Sequence, residues 1–409
     1  MIFLLRYKVL DLFSGAGGMS EGFLQAGFQV PFANEYTKEA SLTYQNRHKQ
    51  LGYPLTFYEG DVRDLTKRKK LFDFLNGEEV DVIVGGPPCQ GFSLTGKRSK
   101  EDERNNMFLE YLKIVKLVKP KYFVLENVEG ILSYRFGRIK GISGIVYEDQ
   151  SVPQIIYAEA LKLGYLVKWR LLNAKDYGVP QNRPRVIFIG HKISLKRNQI
   201  ISCVTEPDFP IQQNKIVTVQ EAISDLRFLR SGEIATKYDK RYKITEYQRM
   251  LRNGLTPDIN REPCRTEFLK NHQTSRHGEI TTERFKLLSP GESIDGLLNR
   301  LDIDQNQKLF TKKYRCTKLS PNAVAPTILT LPDDIIHFDP KNPRILTVRE
   351  LARLQSFDDS FEFLGKRTTG GERRKYETPQ YTQVGNAVPP LLARAVAEKI
   401  MEALINPLK

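Results

Sequence analysis

Five short apolar runs, each closing on a side chain capable of chemistry, constrain this chain more than any other feature. They are Val9-Leu10-Asp11-Leu12-Phe13, Phe28 to Asn34 before Glu35, Leu55 to Tyr58 before Glu59-Gly60-Asp61, Val80 to Val84 before Gly85-Gly86-Pro87-Pro88-Cys89-Gln90, and Lys121 to Leu125 before Glu126-Asn127-Val128. Each has strand length, and helical periodicity lies between them, as at Met19, Phe23 and Ala26 or Met107, Tyr111, Ile114, Val115 and Val118. Alternation of this kind predicts an α/β fold with a mostly parallel, doubly wound sheet. Ligands of open α/β sheets bind outside the carboxyl ends of the strands. Phe13, Glu35, Asp61, Cys89 and Glu126 are therefore expected at one rim, around a shared crevice.

The first run leads into Ser14-Gly15-Ala16-Gly17-Gly18, a glycine turn opening a helix. Such a turn lets a ligand approach a helix N-terminus closely. A dinucleotide fingerprint needs glycine where Ser20 stands, so an adenosyl ligand without a pyrophosphate is favoured. Glu35 lies 20 residues after Gly15, a spacing that suits a carboxylate accepting from ribose hydroxyls. Asp61 suits an adenine amino group or, more plainly, the cap of the next helix. The two prolines before Cys89 fix φ and stiffen the elbow that presents the thiol. Taken alone, that cysteine reads more readily as structural than as a nucleophile; its company at the rim reverses the reading.

Composition narrows the setting. The 409 residues suffice for two domains, and 40% hydrophobic with 27% charged residues describes a globular chain. Met1 to Leu5 is apolar but too short for a signal peptide or a membrane span. Cys89, Cys203, Cys264 and Cys316 show no metal-ligand spacing, so neither a zinc site nor a disulfide framework is expected. A net charge of +15 predicts a polyanionic partner, most simply nucleic acid.

Beyond the fifth run, Ser151 to Leu163 reads as a capped helix, Tyr165 to Leu172 as extended, and Val186 to Ile189 as a strand after Gln181-Asn182-Arg183-Pro184-Arg185. Periodicity fades from His191 to about Leu346. It returns at the capping box Thr347-Val348-Arg349-Glu350, and a final helix covers Leu391 to Leu404. The expected division is a catalytic and cofactor domain at 1–190 plus 380–409, with a smaller irregular domain at 191–379 that includes the 347–355 helix. Gly91 to Asn106 is expected to form a mobile flap beside the crevice.

Taken together, Asp11 to Gly18, Gly86-Pro87-Pro88-Cys89-Gln90, Glu126-Asn127-Val128, Gln181 to Arg185, Arg349 to Arg353 and Gln383-Val384-Gly385-Asn386 make the chain resemble a DNA (cytosine-5) methyltransferase of the bacterial restriction-modification type. The resemblance implies the fold of S-adenosylmethionine-dependent methyltransferases. It implies a cofactor site of Phe13, Ser14, Gly15, Gly17, Glu35, Asp61, Val62, Pro87, Asn386 and Ala387, with S-adenosylhomocysteine as product and no metal. Phe13 would stack near the adenine, and the domain after residue 190 would read bases in double-stranded DNA. Gln90, Ser93 and Arg104 would belong to the flap over the DNA. The resemblance further implies a cytoplasmic monomer with no membrane role. A cognate restriction endonuclease would act on the same site, without direct contact.

The chemistry accounts for the residue types. A Cys89 thiolate adding at C6 of cytosine would make C5 nucleophilic. Glu126 would protonate or hydrogen-bond N3, Arg185 would hold the O2 edge and orient Glu126, and Arg183 would support that network or the thiolate. The cytosine would first have to leave the duplex stack. Three rival functions fit the same residues less well. A transfer-RNA-methylating relative typically carries Cys-Phe-Thr, absent here; a zinc deaminase needs a second cysteine in Pro-Cys-x-x-Cys, also absent; and a non-enzymatic DNA-binding protein would not need Cys89, Glu126 and Arg185 together.

Overall fold

The computed structural model describes residues 7–88, 103–196, 199–313, 316–332 and 335–407. They form two compact units. The first takes in the described parts of Met1–Asn173, Pro184–Gln212 and Leu392–Lys409; the second is Ala174–Arg183 with Gln213–Leu391.

The first unit is built on strands β1 (Lys8–Leu12), β2 (Gln29–Glu35), β3 (Thr56–Glu59), β4 (Val82–Gly85) and β5 (Tyr122–Asn127). Helices α1 (Gly18–Gln25), α2 (Lys38–Leu51), α3 (Val62–Leu65), α4 (Arg68–Leu75) and α5 (Met107–Val118) alternate with them. These five strands pair in parallel in the order β5-β4-β1-β2-β3; the apolar runs of β1, β2, β4 and β5 are its mostly buried ladders, while the edge strand β3 stays partly exposed. After β5 comes a hairpin, β6 (Arg135–Lys140) and β7 (Val146–Ser151), which no expectation from the sequence covers. Its turn is tied down by the fully buried Glu159, which accepts from Ser143 N–H at 2.8 Å and Tyr147 O–H at 2.6 Å. Glu159 lies on α6 (Val152–Lys162), and Gln154 of that helix accepts from the Ser151 N–H at 3.0 Å.

Strands β8 (Tyr165–Asn173), β9 (Pro184–Lys196) and β10 (Gln199–Ser202) complete the sheet. Here the pairing changes sense: β9 runs antiparallel to β5, β8 and β10. The chain therefore stays with the sheet beyond residue 190. The β9–β10 ladder reaches Ser202, and the first unit takes in the chain to Gln212.

The second unit holds short helices: α7 (Val219–Ile223), α8 (Glu246–Asn253), α9 (Glu279–Leu287), α10 (Ile294–Arg300), α11 (Ile303–Leu309), α12 (Val348–Leu354) and α13 (Gln380–Asn386). The two-residue strands β11 (Thr317–Lys318) and β12 (Ile335–Ile336) lie among them. Its centre is α12, every residue of which is buried. The capping box forms as its residue types predict: Glu350 N–H donates to Thr347 Oγ1 at 3.2 Å, and Thr347 N–H to the Glu350 carboxylate at 2.7 Å. Three charged residues of this helix have no access to water and are satisfied internally. Glu350 accepts both Arg344 N–H groups at 2.7 and 2.8 Å. Arg353 pairs with Asp225 and Asp359, each at 2.6 Å, and Arg349 donates to main-chain carbonyls. The last helix, α14 (Pro390–Ile405), buries Leu392, Val396, Ile400 and Leu404. Within the first unit it lies so close to α1 that a Cβ on Gly22 would stand 2.4 Å from the Arg394 nitrogen.

Among the described residues no helix is long and apolar enough to cross a membrane. Removing one side of a buried ion pair leaves the partner charged and desolvated, at a cost of about 3–5 kcal/mol. Arg353→Met is expected to lose stability toward the lower end of that scale, because it leaves Asp225 with Arg252 alone and Asp359 with the Tyr238 hydroxyl and the more distant Arg349. Urea denaturation compares it with the exposed-site control Arg138→Met, which is expected to change stability by under ~1 kcal/mol.

Candidate functional site

The sheet register gathers the strand ends. Leu12 pairs with Gly85 and with Asn34, Gly85 with Leu125, and Glu35 with Glu59. One residue further along, Phe13, Glu35, Gly86 and Glu126 stand at a common level on the carboxyl rim. Arg185 reaches this rim because β9 is antiparallel. Its amino end lies beside the carboxyl end of β5, with Val186 opposite Asn127 and Ile187 opposite Glu126.

Glu126 and Arg185 form an ion pair, Nε to Oε1 at 2.8 Å, with each residue 9% exposed. Arg185 also donates to the Pro184 carbonyl at 2.7 Å, which fixes the guanidinium plane. The space for the carboxylate is made by a glycine: a Cβ at Gly86 would lie 2.8 Å from Glu126 Oε2. Gly85 is equally confined, its Cβ position being 2.4 Å from the Leu12 carbonyl oxygen. The elbow is held from the next strand, for the buried Asn127 donates from Nδ2 to the Pro87 carbonyl at 3.1 Å. Asn127 belongs to the Glu126-Asn127-Val128 motif, but nothing in sequence spacing reveals that hydrogen bond. Cys89, Gln90 and Ser93, with the expected flap up to residue 102 and the side chain of Arg104, lie outside the described residues. Residues Glu103–Asn106 form one 3-10 turn.

The glycine loop has the geometry of a ligand cradle. Phe13, Gly15 and Gly17 have φ of 55°, 55° and 102°, a left-handed region costly for a phenylalanine. A Cβ on Gly15 would meet nothing within 4 Å, so the backbone there faces open space. Ser14 Oγ is buried and meets no hydrogen-bonding partner among the described residues. Glu35 anchors the loop, accepting from Gly15 N–H at 2.9 Å and from Thr37 N–H and O–H, each at 2.8 Å. A carboxylate has about four acceptor positions, so Glu35 keeps capacity for a ligand hydroxyl. These features fit a small adenosyl cofactor.

Other expected residues are placed differently. Asp61 caps α3, accepting from Arg63 N–H at 2.9 Å, and pairs with the Arg63 guanidinium at 2.7 Å. The Arg63 hydrogen bond holds its carboxyl below the ordinary range. An adenine amino group would have to share it with Arg63. The Val62 side chain sits in the hydrophobic core, which leaves its main chain for a ligand. Arg183, Asn386 and Ala387 belong to the second unit. There the buried Arg183 donates to the carbonyls of Ile328, Gly385 and Ala387 at 2.9, 2.7 and 3.0 Å, bracketing the exposed Asn386. Its guanidinium thus holds the end of α13. Gln181, also buried, adds to that scaffold by donating to the Leu354 carbonyl at 3.2 Å and to Gln355 Oε1 at 2.9 Å. Among the described residues no group of His, Cys, Asp or Glu is arranged to hold a metal.

One buried acid lies behind the glycine loop. Asp11 accepts from Ser20 Oγ at 2.5 Å, and that hydroxyl also meets Tyr44 O–H at 2.5 Å; Asp11 Oδ1 is buried without a hydrogen-bonding partner among the described residues. Burial pushes its carboxyl from 3.8 up to about 7, with the Glu35 charge adding to the shift and the Ser20 and Tyr44 hydroxyls opposing it. A folded-state value above the unfolded one stabilises below the unfolded value, and that contribution is lost as pH rises toward 7. Asp11→Asn is expected to remove this loss. The variant should gain stability over the parent at pH 8, by on the order of a few kcal/mol, and not at pH 4. Thermal melts at the two pH values check this.

Comparison with known proteins agrees with this arrangement. The model of the family described as C-5 cytosine-specific DNA methylase matches residues 7–402. Type II methyltransferase M.DdeI of Desulfomicrobium norvegicum is 36% identical over 408 residues, covering 96% of this chain and 88% of its own. Type II methyltransferase M1.HphI of Haemophilus parahaemolyticus is 32% identical over 412 residues, covering 99% and 90%. A solved E. coli structure, described as a prophage-encoded putative DNA modification methyltransferase, superposes with a TM-score of 0.68 at 27% identity, covering 98% of this chain and 100% of that one.

Proposed function

The chain belongs to the C-5 cytosine-specific DNA methylase family, and from that premise we propose how its own residues methylate cytosine at C5 in DNA. The observation that carries the proposal is the Glu126–Arg185 pair, held at the strand ends beside the elbow that leads to Cys89.

S-adenosylmethionine supplies the methyl group as an electrophile. Phe13, Ser14, Gly15, Gly17 and Glu35 would hold it, with Asp61, the Val62 main chain and Pro87 at its edges; the resemblance to the family adds Asn386 and Ala387 as further cofactor residues. Cys89 adds through its thiolate to C6 of a cytosine extruded from the duplex. Electron density then accumulates on the ring, and Glu126, in its protonated form, relieves it by giving its proton to N3 and becoming the carboxylate that Arg185 pairs with. Arg185 keeps the Glu126 carboxyl in that orientation and presents its remaining N–H groups to O2. Elimination then completes the cycle: water takes the C5 proton, the C6–sulfur bond breaks to release the Cys89 thiolate, and the N3 proton returns to Glu126. Arg183 serves this reaction at a distance, by positioning Asn386.

The second unit, with its surplus of short loops, is the part that reads the target sequence. The resemblance to the family assigns Gln90, Ser93 and Arg104 to the DNA side of the reaction. The relatives are named type II methyltransferases, which supports a role in restriction-modification; a cognate endonuclease acting on the same sequence, a cytoplasmic location and a monomeric enzyme complete the proposal.

Duplex DNA containing 5-fluorocytosine should trap a covalent adduct that requires S-adenosylmethionine. Cys89→Ser should abolish it while still binding duplex; an adduct formed by that variant would sink the nucleophile assignment. Glu126→Gln should lower kcat by about 10²–10⁴-fold with little change in cofactor affinity. Labelled methyl appearing in transfer RNA and not in duplex DNA would refute the substrate.

A further inference from the structure

We propose that the loop Lys366–Tyr376 of the second unit is a docking element for the phosphate backbone of duplex DNA, a role that rests on the reading of DNA as substrate. Three observations converge on it. The first is charge: residues 366–376 carry five basic side chains, Lys366, Arg367, Arg373, Arg374 and Lys375, against one acid, Glu372.

The second is a rigid base. The two ends of the loop are stapled together from α13. Gln380 donates from its main-chain N–H to the Lys366 carbonyl and from Nε2 to the Gly365 carbonyl, both at 2.9 Å. Gln383 Nε2 bridges the carbonyls of Leu364 and Thr378 at 3.0 and 2.9 Å. Glu377, just outside the loop, is occupied locally by Lys366 at 2.8 Å and by Thr369 at 2.6 Å. Its carboxylate is therefore engaged chiefly at the base, by Lys366 and Thr369, with Arg373 adding a weaker electrostatic attraction.

The third is exposure. Gly370 and Gly371 would carry Cβ atoms into open space, and Gly371 has φ of 60°. Arg373 is exposed, and the Tyr376 side chain is 82% exposed. A globular protein gains nothing in stability from holding a tyrosine and an arginine outward on a braced loop. A polyanion that neutralises the basic residues gains from the release of its counterions. A tyrosine hydroxyl held outward beside cations suits a phosphate oxygen. The loop touches the DNA backbone and fixes register; it is not assigned any reading of bases. Its base is on α13, the helix that ends in Asn386.

The test uses the full chain and a fluorescent 30-base-pair duplex of random sequence, titrated between 50 and 200 mM KCl. Deleting one phosphate-neutralising side chain lowers the slope of log affinity against log salt by about 0.9. The triple variant Arg373→Ala, Arg374→Ala, Lys375→Ala is therefore expected to flatten the slope by up to about 3. Between the two salt concentrations the wild type should lose ~40-fold more affinity than the variant. Tyr376→Ala should leave the slope unchanged; an equal flattening there would mean that the loop conformation, not its charge, is being read, and would overturn the proposal. So would a triple variant with the wild-type slope and affinity, or one altered only in binding polyglutamate. A wild-type chain that binds duplex with no salt dependence would remove the reading of DNA as substrate along with the loop's role.

Discussion

The hydrogen-bonded register of the central strands sets where every functional side chain of the first unit falls. Parallel ladders between β1, β2, β4 and β5 bring four strand ends to one level, so that Phe13, Glu35, Gly86 and Glu126 become neighbours without being near in sequence. A slip of one residue in any ladder would turn the end of that strand to the other face. The apolar β-branched character of these strands therefore does more than drive burial: it locks the geometry in which a carboxylate, a cysteine elbow and a glycine loop share one rim.

Close approach is the second constraint, and it follows from the first. Strands hydrogen-bonded side by side leave little room at their ends for extra atoms. Gly85 and Gly86 give that room to the Leu12 carbonyl and to the Glu126 carboxylate. Asn127 in turn fixes the Pro87 carbonyl, whose own proline nitrogen cannot donate. The Glu126–Arg185 pair costs desolvation that its mutual attraction need not repay. Its retention in a nearly buried setting is better understood as positioning than as stabilisation. The buried charges around α12 differ, since each is enclosed by several hydrogen bonds and together they organise a unit with few long elements.

Much of this is legible from residue order. The bounds of α5 follow from its apolar periodicity, and the Thr347 capping box forms as its residue types demand, because both depend on interactions within one or two turns. Glu35 stands out by its spacing from Gly15, and it does bond to the Gly15 N–H. Asp61 is readable in two ways, and the structure places it as a cap paired with Arg63. The β6–β7 hairpin leaves little trace in the sequence because Arg135 to Ser151 alternates weakly and exposes most of its residues. The partners of Arg183 are main-chain carbonyls roughly 150 to 200 positions away, and no local pattern reports them.

The sequence by itself determined the fold class, the elements that follow from local periodicity, and which residue types cluster at strand ends, since these depend on hydrophobic pattern and backbone propensity. Only the tertiary structure decided that β9 runs antiparallel and so delivers Arg185 to Glu126, that the first unit continues to Gln212, and that Arg183 braces the end of α13 in the second unit. Strand direction and long-range hydrogen bonding are set by pairings between distant segments. Their free energy exists only once both partners are in place, so it leaves no mark on either segment read alone.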